Sequence, residues 1–322
     1  MGSCRASLPS VQEVVESALH KFVDNSNFSD VQLSSRTDSG VHAFGNTLHV
    51  DIENKRRKKN EVVAPHDPVT VQRALNSMLA PKGIGITSVS AVPPTFHARF
   101  DAKHRTYMYR LLVLPKNPGW RNCLFDLNNS WIVSPRRSTY LNVDVMRAAA
   151  RPLLGNHDFT SFQNSGCQAH SAIKTLDVLD IHERRWTTSP ASSSTSPFDN
   201  FRASSMGLNA YVEGSSGSVG RNSAYPCDPG TPFGEFVGAS SRVGGESSDE
   251  EVQELLITVR ARSFLYNQVR NMVGFLAEVG DDTSGDQMKA ERNAKRILGC
   301  MDRCAAPKKA PAHGLHLMQV GY

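Results

Sequence analysis

Five stretches of the chain carry apolar residues at the three- and four-residue spacing of an amphipathic helix. The first begins with a capping box, Ser10 and Glu13, and its apolar stripe comprises Val11, Val14, Val15, Ala18, Leu19 and Phe22. The second begins at Asp67-Pro68, a pair typical of a helix start, and is predicted to end near Leu79. Three further helices are predicted over Asp144–Leu154, Phe264–Val279 and Asp286–Leu298.

Shorter stretches rich in β-branched and aromatic residues predict strands. In Arg105–Leu114 the alternation places Tyr107, Tyr109, Leu111 and Val113 on one face. The other predicted strands are Val31–Ser34, Thr47–Ile52, Ile84–Val92, Thr175–Ile181, Glu254–Arg262 and Leu315–Val320. Because helices and strands are interleaved and must pair over long sequence distances, we predict an α+β fold in which helices cover a mostly antiparallel sheet.

The segment Thr187–Glu251 departs from this pattern, since its 65 residues include 15 Ser and 9 Gly and show no sustained apolar period. Such a composition cannot bury enough apolar surface to offset chain entropy, so we predict a disordered insertion between two strands. The chain carries a formal charge of +5, but this segment carries −5, which leaves +10 on the rest. A basic folded part favours a polyanionic partner, although many soluble proteins are mildly basic.

Several classes of protein are disfavoured. No stretch approaches the ~18 uninterrupted apolar residues of a membrane span, so we predict no membrane association. The six cysteines are scattered and include no CxxC pair, which argues against a zinc ribbon or a disulfide framework. The sequence also has neither GxGxxG nor GxxxxGK[ST], so we predict that the protein uses no metal and no cofactor.

The densest polar cluster is Arg36–His42, which lies between two predicted strands. Asp38 is a candidate nucleophile or general base, with Arg36 close by and a glycine that permits a tight backbone. From the residues alone, an Asx-type turn that only joins the strands is the favoured alternative. The His157-Asp158 pair suggests a catalytic role, but residues adjacent in sequence are expected to point apart, so Asp158 is interpreted as a cap or turn residue after the helix that ends at Gly155.

A second candidate is Arg270, on the predicted helix over Phe264–Val279. It shares a stripe with Ser263, Asn267, Gly274 and Ala277, whose small side chains would let another element approach closely. A guanidinium there could reach a buried carboxylate. The alternative is an arginine at the edge of the core, with a packed stem and a solvated head.

Aromatic and basic residues alternate in Phe96–Phe100 and in Lys103–Arg110, as they do where proteins stack on unpaired bases and hold phosphates. His97 and Arg99 are therefore candidate substrate-binding residues. The alternative is a strand with core tyrosines and surface cations. The basic run Lys55–Lys59 is either a phosphate-binding hairpin tip or a solvated loop.

Five motifs together resemble the TruA family of pseudouridine synthases. They are Ser35–His42, Phe96–Tyr109, Gly155–Phe162, Ser263–Gly280 and Ala310–Tyr322, in family order over most of the chain. The end of the chain and the serines before Arg36 resemble the animal branch called pseudouridylate synthase 1-like. The resemblance implies two ferredoxin-like halves, 1–115 and 116–322, that share an extended sheet with an RNA cleft between them.

The resemblance also implies an activity, that of a tRNA pseudouridine(38-40) synthase, and roles for site residues. Asp38 would be the nucleophile, and Arg270 its salt-bridge partner through a two-point contact. Arg36 would help displace the target base, Tyr107 would pack against that base, and Leu315 would line the pocket. No cofactor is implied, because uridine is detached, turned and rejoined without an external group.

Expectations about partners and location follow from the same resemblance. We expect RNA as the partner, either tRNA or a structured mRNA such as a mitochondrial one. We also expect a homodimer and a mitochondrial location rather than a cytoplasmic or nuclear one. Before the capping-box helix the chain has no counterpart of the family's first strand, so we expect a central strand to be missing. The first alternative is consequently an RNA-binding protein without full catalysis. The second is a hydrolase that uses Asp38 with His42.

Overall fold

The structure is a computed structural model that describes residues 9–23, 28–53, 64–114, 127–187 and 251–322. The predicted insertion Thr187–Glu251, apart from its two end residues, and the basic run Lys55–Lys59 lie outside the described residues. The predicted division into halves at residue 115 remains a prediction.

In the described residues, a seven-stranded mixed sheet forms the centre of the molecule. Its strand order is β2-β9-β4-β8-β7-β6, and β5 pairs with β4 off this path. The sheet strands are β2 (His42–Ala43), β4 (His104–Val113), β5 (Trp131–Val133), β6 (Gly155–Asp158), β7 (Ile173–Thr187), β8 (Glu251–Ala261) and β9 (Leu315–Gly321). A separate antiparallel pair joins β1 (Gln32–Leu33) to β3 (Leu48–His49).

Strand β4 is the axis of this sheet. It pairs antiparallel with β8 on one side and with β9 on the other, and its register with β9 shifts between Thr106 and Tyr107. As predicted, Tyr107, Tyr109, Leu111 and Val113 belong to one buried cluster. Leu112 and Leu114, on the opposite face, belong to another. The prediction of an α+β fold is confirmed.

Five α-helices occur in the described residues. They are α1 (Val11–Val23), α2 (Pro68–Leu79), α3 (Val143–Ala150), α4 (Gln268–Gly280) and α5 (Gln287–Cys300). The main core lies between the sheet and the layer of α3, α4 and α5, where α3 packs against both of its neighbours. A second cluster lies where α1 packs against α2 and buries Val15, Leu19, Leu75 and Leu79.

The sequence signals for helix starts are confirmed. The amide of Ser10 donates to Glu13 Oε2 over 2.6 Å, and the amide of Glu13 donates to Ser10 Oγ over 3.2 Å. At the next helix, Asp67 Oδ2 accepts from the amide of Thr70 over 3.0 Å. The Ser10–Glu13 pair and the Asp67 side chain thus provide hydrogen-bond partners for amides at the helix starts, which have no partner within the helix.

The predicted strand over Ile84–Val92 is wrong, because residues 84–92 belong to no strand. Helix α2 provides the hydrogen bonds that a neighbouring strand would provide. Asn76 Oδ1 accepts from the Ile86 amide over 2.7 Å, and Asn76 Nδ2 donates to the Ile86 carbonyl oxygen over 2.9 Å. Gln72 Nε2 donates to the carbonyl oxygens of Ile86 and Thr87. The extended segment therefore packs on α2.

The predicted helix bounds differ from the structure by more than two residues at two places. Helix α4 begins at Gln268 rather than Phe264, because Gln268 Oε1 accepts from the Leu265 amide and Asn267 has a φ of 61°. Helix α3 ends at Ala150 rather than Leu154, and a 3₁₀ turn over Arg151–Leu153 follows. Pro152 in that turn has no amide hydrogen to continue the helix.

The predicted strands also shift. The predicted Val31–Ser34 contracts to β1, and Thr47–Ile52 contracts to β3 with an isolated bridge from Ile52 to Phe28. Strands β7 and β8 are both longer than predicted. Asp158 Oδ1 accepts from the Thr160 amide over 2.8 Å, which confirms the interpretation of Asp158 as a turn residue.

Candidate active site

A tight turn presents Asp38 beside the sheet. The amide of Val41 donates to the Asp38 carbonyl oxygen over 3.0 Å, and Gly40 has a φ of +80°. A positive φ at this position is typical of a type II turn and favours glycine. A Cβ at Gly40 would lie only 3.3 Å from the Cβ of Ala312, so the turn is also closely packed. Because the main chain closes the turn, the Asp38 carboxylate is available to another element.

That element is helix α4, which carries Arg270. Arg270 Nη1 lies 3.3 Å from Asp38 Oδ2, although the two residues are 232 positions apart in sequence. The Arg270 side chain is 11% exposed and the Asp38 side chain 29%. The structure thus brings together the pair that the family resemblance implies, and an arginine this buried does not fit the alternative of a solvated head. The contact joins one nitrogen to one oxygen, so the expected two-point contact is not observed.

Two further acceptors hold the Arg270 guanidinium in place. Nε donates to the Ala310 carbonyl oxygen over 2.9 Å, and Nη1 donates to Asn267 Oδ1 over 2.6 Å. The Ala310 amide in turn donates to the Arg270 carbonyl oxygen over 2.9 Å, so the segment before β9 lies along α4. A Cβ at Gly274 would collide with the Lys308 carbonyl oxygen. The stripe of small residues therefore does what the sequence predicted, because it lets this segment approach the helix.

Tyr107 projects from β4 toward the same turn. Its hydroxyl lies 3.0 Å from Ser35 Oγ, and its ring meets Phe264 edge-on with centroids 5.3 Å apart. Burial raises the pKa of Tyr107, the hydrogen bond from Ser35 opposes that rise, and the negative charge of Asp38 adds to it. The hydroxyl is thus kept protonated above the ordinary range of a tyrosine.

A neighbouring tyrosine shapes the segment that holds Arg270. Tyr109 donates from its hydroxyl to the Pro311 carbonyl oxygen over 2.9 Å. A Cβ at Gly314 would come within 2.6 Å of the Tyr109 ring, so only glycine fits there without a shift. Burial raises the pKa of Tyr109, and the positive charge of Arg270 opposes that rise. This fixed path also places Leu315, which begins β9.

The turn, α4 and β4 border a cleft of about 830 Å³. This volume lies within the range of ~300–1,000 Å³ common for ligand pockets. Among its lining residues the one carboxylate is Asp38, whereas the cationic ones are Arg36, Arg99, Arg105, Arg262 and Arg270. Two aromatic residues on the lining are solvent-accessible, Phe100 at 68% and Tyr266 at 45%. The cleft therefore combines positive charge with exposed rings.

Arg105 connects the walls of this cleft. Its Nη1 donates to the Arg262 carbonyl oxygen, and its Nη2 donates to the carbonyl oxygens of Ser34 and Arg99, all within 2.9 Å. Burial lowers the pKa of Arg105. A buried guanidinium with three main-chain acceptors fixes the backbone on both sides of Tyr107, so Arg105 supports the site mechanically.

Six of the seven predicted site residues line the cleft. They are Asp38, Arg270, Tyr107, Arg36, Arg99 and Leu315. His97 is not among the lining residues. Its Nδ1 accepts from the amides of Arg99 and Phe100 over 3.1 and 3.4 Å, while the His97 amide donates to Asp101 Oδ2. His97 thus stabilises the turn that presents Arg99, and its contact with substrate remains a prediction.

Two histidines connect the Asp38 turn to the sheet. His42 follows the turn on β2 and stacks on His316 of β9, with ring centroids 5.0 Å apart. His42 Nε2 donates to the Asn128 carbonyl oxygen over 2.7 Å, and His316 Nε2 donates to that of Asn129 over 2.9 Å. His42 is therefore engaged away from the cleft, which disfavours the alternative of a hydrolase that uses it with Asp38.

We expect the stability of the sheet around His316 to decrease in acid. Burial lowers the pKa of His316 from 6.5 to about 4, the hydrogen bond to Asn129 opposes this, and the charges of His42 and Arg110 add to it. In the unfolded chain His316 binds a proton as the pH falls below 6.5. In the folded chain it binds that proton only as the pH approaches about 4. The free energy of unfolding should therefore fall by about 3 kcal/mol across this window.

Chemical denaturation between pH 7 and pH 4.5 measures this effect. A His316→Gln variant should show a shallower fall in unfolding free energy with decreasing pH, whatever its absolute stability. The exposed His182, replaced by Gln, serves as the control and should keep the wild-type slope. Equal slopes for wild type and His316→Gln would show that His316 does not carry this pH dependence.

Two other kinds of feature are absent from the described residues. Within the described ranges, no group of three His, Cys, Asp or Glu residues could hold a metal ion. None of the helices built from those residues is both long enough and apolar enough to span a bilayer.

An aspartate paired with a helix arginine in a positively charged cleft beside a mixed sheet is the arrangement implied by the resemblance to pseudouridine synthases. Comparison with known proteins agrees. The family model described as tRNA pseudouridine synthase matches residues 3–101 and 149–322. The chain belongs to the tRNA pseudouridine synthase family, whose members are intramolecular isomerases.

Curated relatives cover nearly the whole chain. The tRNA pseudouridine synthase A of Roseobacter denitrificans is 32% identical over 98% of this chain and 86% of its own length. The protein of the same name from Gluconobacter oxydans is 32% identical over 97% of this chain and 81% of its own length. The protein of the same name from Parvibaculum lavamentivorans is 30% identical over 97% of this chain and 89% of its own length. These relatives are bacterial, so the resemblance to the animal branch remains a prediction.

The sequence interpretation missed part of the site. It counted Asn267 only as a small neighbour of Arg270, yet this residue lies one turn before Arg270 and contacts it. The same helical spacing could have indicated a contact. Ser35, Phe264 and Arg105 gave no individual signal, because their roles depend on elements that are far apart in sequence.

Proposed function

We propose that this protein converts uridine in tRNA to pseudouridine, with Asp38 as the nucleophile. The observation that carries the proposal is the Asp38 carboxylate beside Arg270 in a cleft whose other lining charges are cationic. The Arg270 guanidinium places a positive charge beside the carboxylate that would attack the substrate. The surrounding arginines attract the phosphates that accompany a uridine in RNA.

The reaction is balanced without an external group. The bond from the sugar C1′ to N1 of uracil breaks, the base turns, and a bond from C1′ to C5 forms. N1 gains a proton and C5 loses one. Asp38 would attack either the sugar or the base, and both routes regenerate its carboxylate at the end. The chemistry thus needs one nucleophile and a pocket in which the base can rotate.

The remaining cleft residues fit the handling of an unpaired base. A target uridine must leave its stack, which costs a few kcal/mol. Arg36, beside Asp38 on the lining, would help displace the base, and Tyr107 and Leu315 would pack against it. Exposed Phe100, with the Arg99 guanidinium 5.8 Å from its ring centroid, offers a stacking surface for a neighbouring nucleotide. Arg99 and Arg262 would hold the backbone.

The proposal is tested with tRNA transcripts that carry tritium at C5 of uridine. Because C5 loses its hydrogen, purified protein should release tritium into water, and mass spectrometry should locate pseudouridine in the product. A set of structured mRNA fragments, tested in parallel, shows whether the substrate range extends beyond tRNA. Binding of tRNA without tritium release would overturn the proposal and favour the alternative of an RNA-binding protein without catalysis.

Three finer proposals rest on the family resemblance. We propose a homodimer, membership of the animal branch and a mitochondrial location. Sedimentation of the purified chain, a phylogeny of the family and imaging of a tagged chain test them separately. A monomer, a bacterial grouping or a signal outside mitochondria would contradict the respective proposal.

A further inference from the structure

Asn267 adopts an unusual backbone conformation and contacts Arg270, the partner of the proposed nucleophile. Its φ is 61°, in the left-handed region, and the residue is only 6% exposed. Asparagine tolerates this region better than most residues, but glycine tolerates it best. The Asn267 side chain forms no capping hydrogen bond at the start of α4. The helix start therefore does not explain why asparagine, rather than glycine, occupies this position.

The orientation of the Asn267 amide follows from its neighbour. A guanidinium only donates hydrogen bonds, so the atom 2.6 Å from Arg270 Nη1 must be the oxygen. The amide nitrogen is then directed elsewhere, and no residue in the described part of the chain gives Nδ2 a partner. A buried donor left unpaired is unfavourable. Both the backbone and the side chain of Asn267 thus carry an energetic cost, and this residue also contacts Arg270.

The contact determines how much of Arg270 reaches Asp38. Nη1 has two hydrogens and donates to two oxygens. The distance from Nη1 to Asn267 Oδ1 is 2.6 Å, and the distance from Nη1 to Asp38 Oδ2 is 3.3 Å. Nε is directed to Ala310. The guanidinium is therefore held at two points away from Asp38, and the carboxylate receives one long hydrogen bond.

We propose that Asn267 is a positioning residue that holds Arg270 back from a two-point pair with Asp38. A two-point arginine–carboxylate pair is strong, and its oxygens would have to break from it before attacking a substrate. A single long contact keeps the charge favourable but leaves the carboxylate available. This inference rests on the proposed function, since it assigns the availability of Asp38 to its use as a nucleophile.

Two substitutions at Asn267 should shift the pH profile in opposite directions. Asn267→Gly removes the acceptor, so Arg270 is free to pair more closely with Asp38, and the acid limb of the kcat profile should move to lower pH. Asn267→Asp adds a second anion that competes for Arg270, and the acid limb should move to higher pH. In both variants we expect kcat to fall about tenfold or more with little change in KM for tRNA.

Thermal melting separates this role from a structural one. Because glycine fits a positive φ, Asn267→Gly should melt at the same temperature as wild type or higher, while it turns over more slowly. Met301, with a φ of 49° at the end of α5, provides the matched control. Met301→Gly should keep wild-type kcat. Slower turnover of Asn267→Gly accompanied by a lower melting temperature would overturn the inference, as would acid limbs that move in the same direction.

A crystal structure of Asn267→Gly tests the inference without turnover. Two guanidinium nitrogens within hydrogen-bond distance of Asp38 would support it, and an unmoved guanidinium would overturn it. The wild-type tritium assay decides the proposed function separately. Wild-type turnover with an unaltered Asn267→Gly profile would refute only the role of Asn267.

Discussion

Asp38→Asn is expected to abolish pseudouridine formation while it leaves RNA binding nearly intact. The amide matches the carboxylate in shape, and its oxygen can still accept from Arg270 Nη1, so the turn and the cleft should persist. It lacks the anionic oxygen that attacks the substrate in the proposed reaction. We expect turnover to fall by about a thousandfold or more and the Kd for tRNA to change by about threefold or less.

Tritium release and filter binding on the same preparation measure the two quantities. Asp177→Asn, at an exposed position on β7, makes the same chemical change away from the cleft and should behave as wild type. If Asp38→Asn turns over within tenfold of wild type, Asp38 is not the nucleophile.

Arg270→Lys is expected to be almost as damaging as Arg270→Ala, since the arginine has three acceptors in three directions. Lysine keeps the charge but is a compact donor that cannot reach Asp38, Asn267 and Ala310 in this geometry. We expect turnover to fall by about a hundredfold for the lysine variant and further for the alanine variant. Arg260→Lys, at an exposed position on β8 that is not among the residues lining the cleft, should retain turnover within about threefold.

The alanine variant has a further signature in its pH dependence. Removing the cation disfavours the anionic carboxylate, so part of the activity should return as the pH rises. The loss of stability should be smaller than the loss of turnover, about 2 kcal/mol or less, because the pair is partly exposed. Turnover against pH and a thermal melt test both statements. If Arg270→Ala keeps wild-type turnover at neutral pH, Arg270 only packs at the edge of the core and does not assist the reaction.

Local signals in the sequence predicted the elements that depend on neighbours in the chain. The capping box at Ser10 and the Asp67-Pro68 start are examples, because cap and helix lie within one turn of each other. Strand β4 was predicted for a similar reason, since its alternation reflects a face buried along its whole length. For Asp38 and Arg270, local pattern alone favoured a plain turn and an edge arginine, and only the resemblance to a family joined them.

The failures share a physical cause. Ile84–Val92 has the apolar content of a strand, but side chains of α2 occupy its backbone hydrogen bonds. The start of α4 depends on the conformation of Asn267, which no periodicity encodes. In each case the local structure depends on hydrogen bonds or backbone conformations that are set by the folded chain and are not encoded in the apolar pattern.

Strand β4 acquires its two antiparallel neighbours late, because β8 and β9 both lie beyond residue 250. The contact from Tyr109 to Pro311 spans 202 residues and that from Arg270 to Asp38 spans 232. Closing such long loops costs entropy before any contact forms, so folding of this sheet should be slow compared with that of a helical domain of equal size. During synthesis, a ribosome-bound chain that has exposed only its first half has Asp38 but no Arg270. The nascent protein therefore lacks the complete site of the proposed reaction until α4 and β9 have packed against the rest of the sheet.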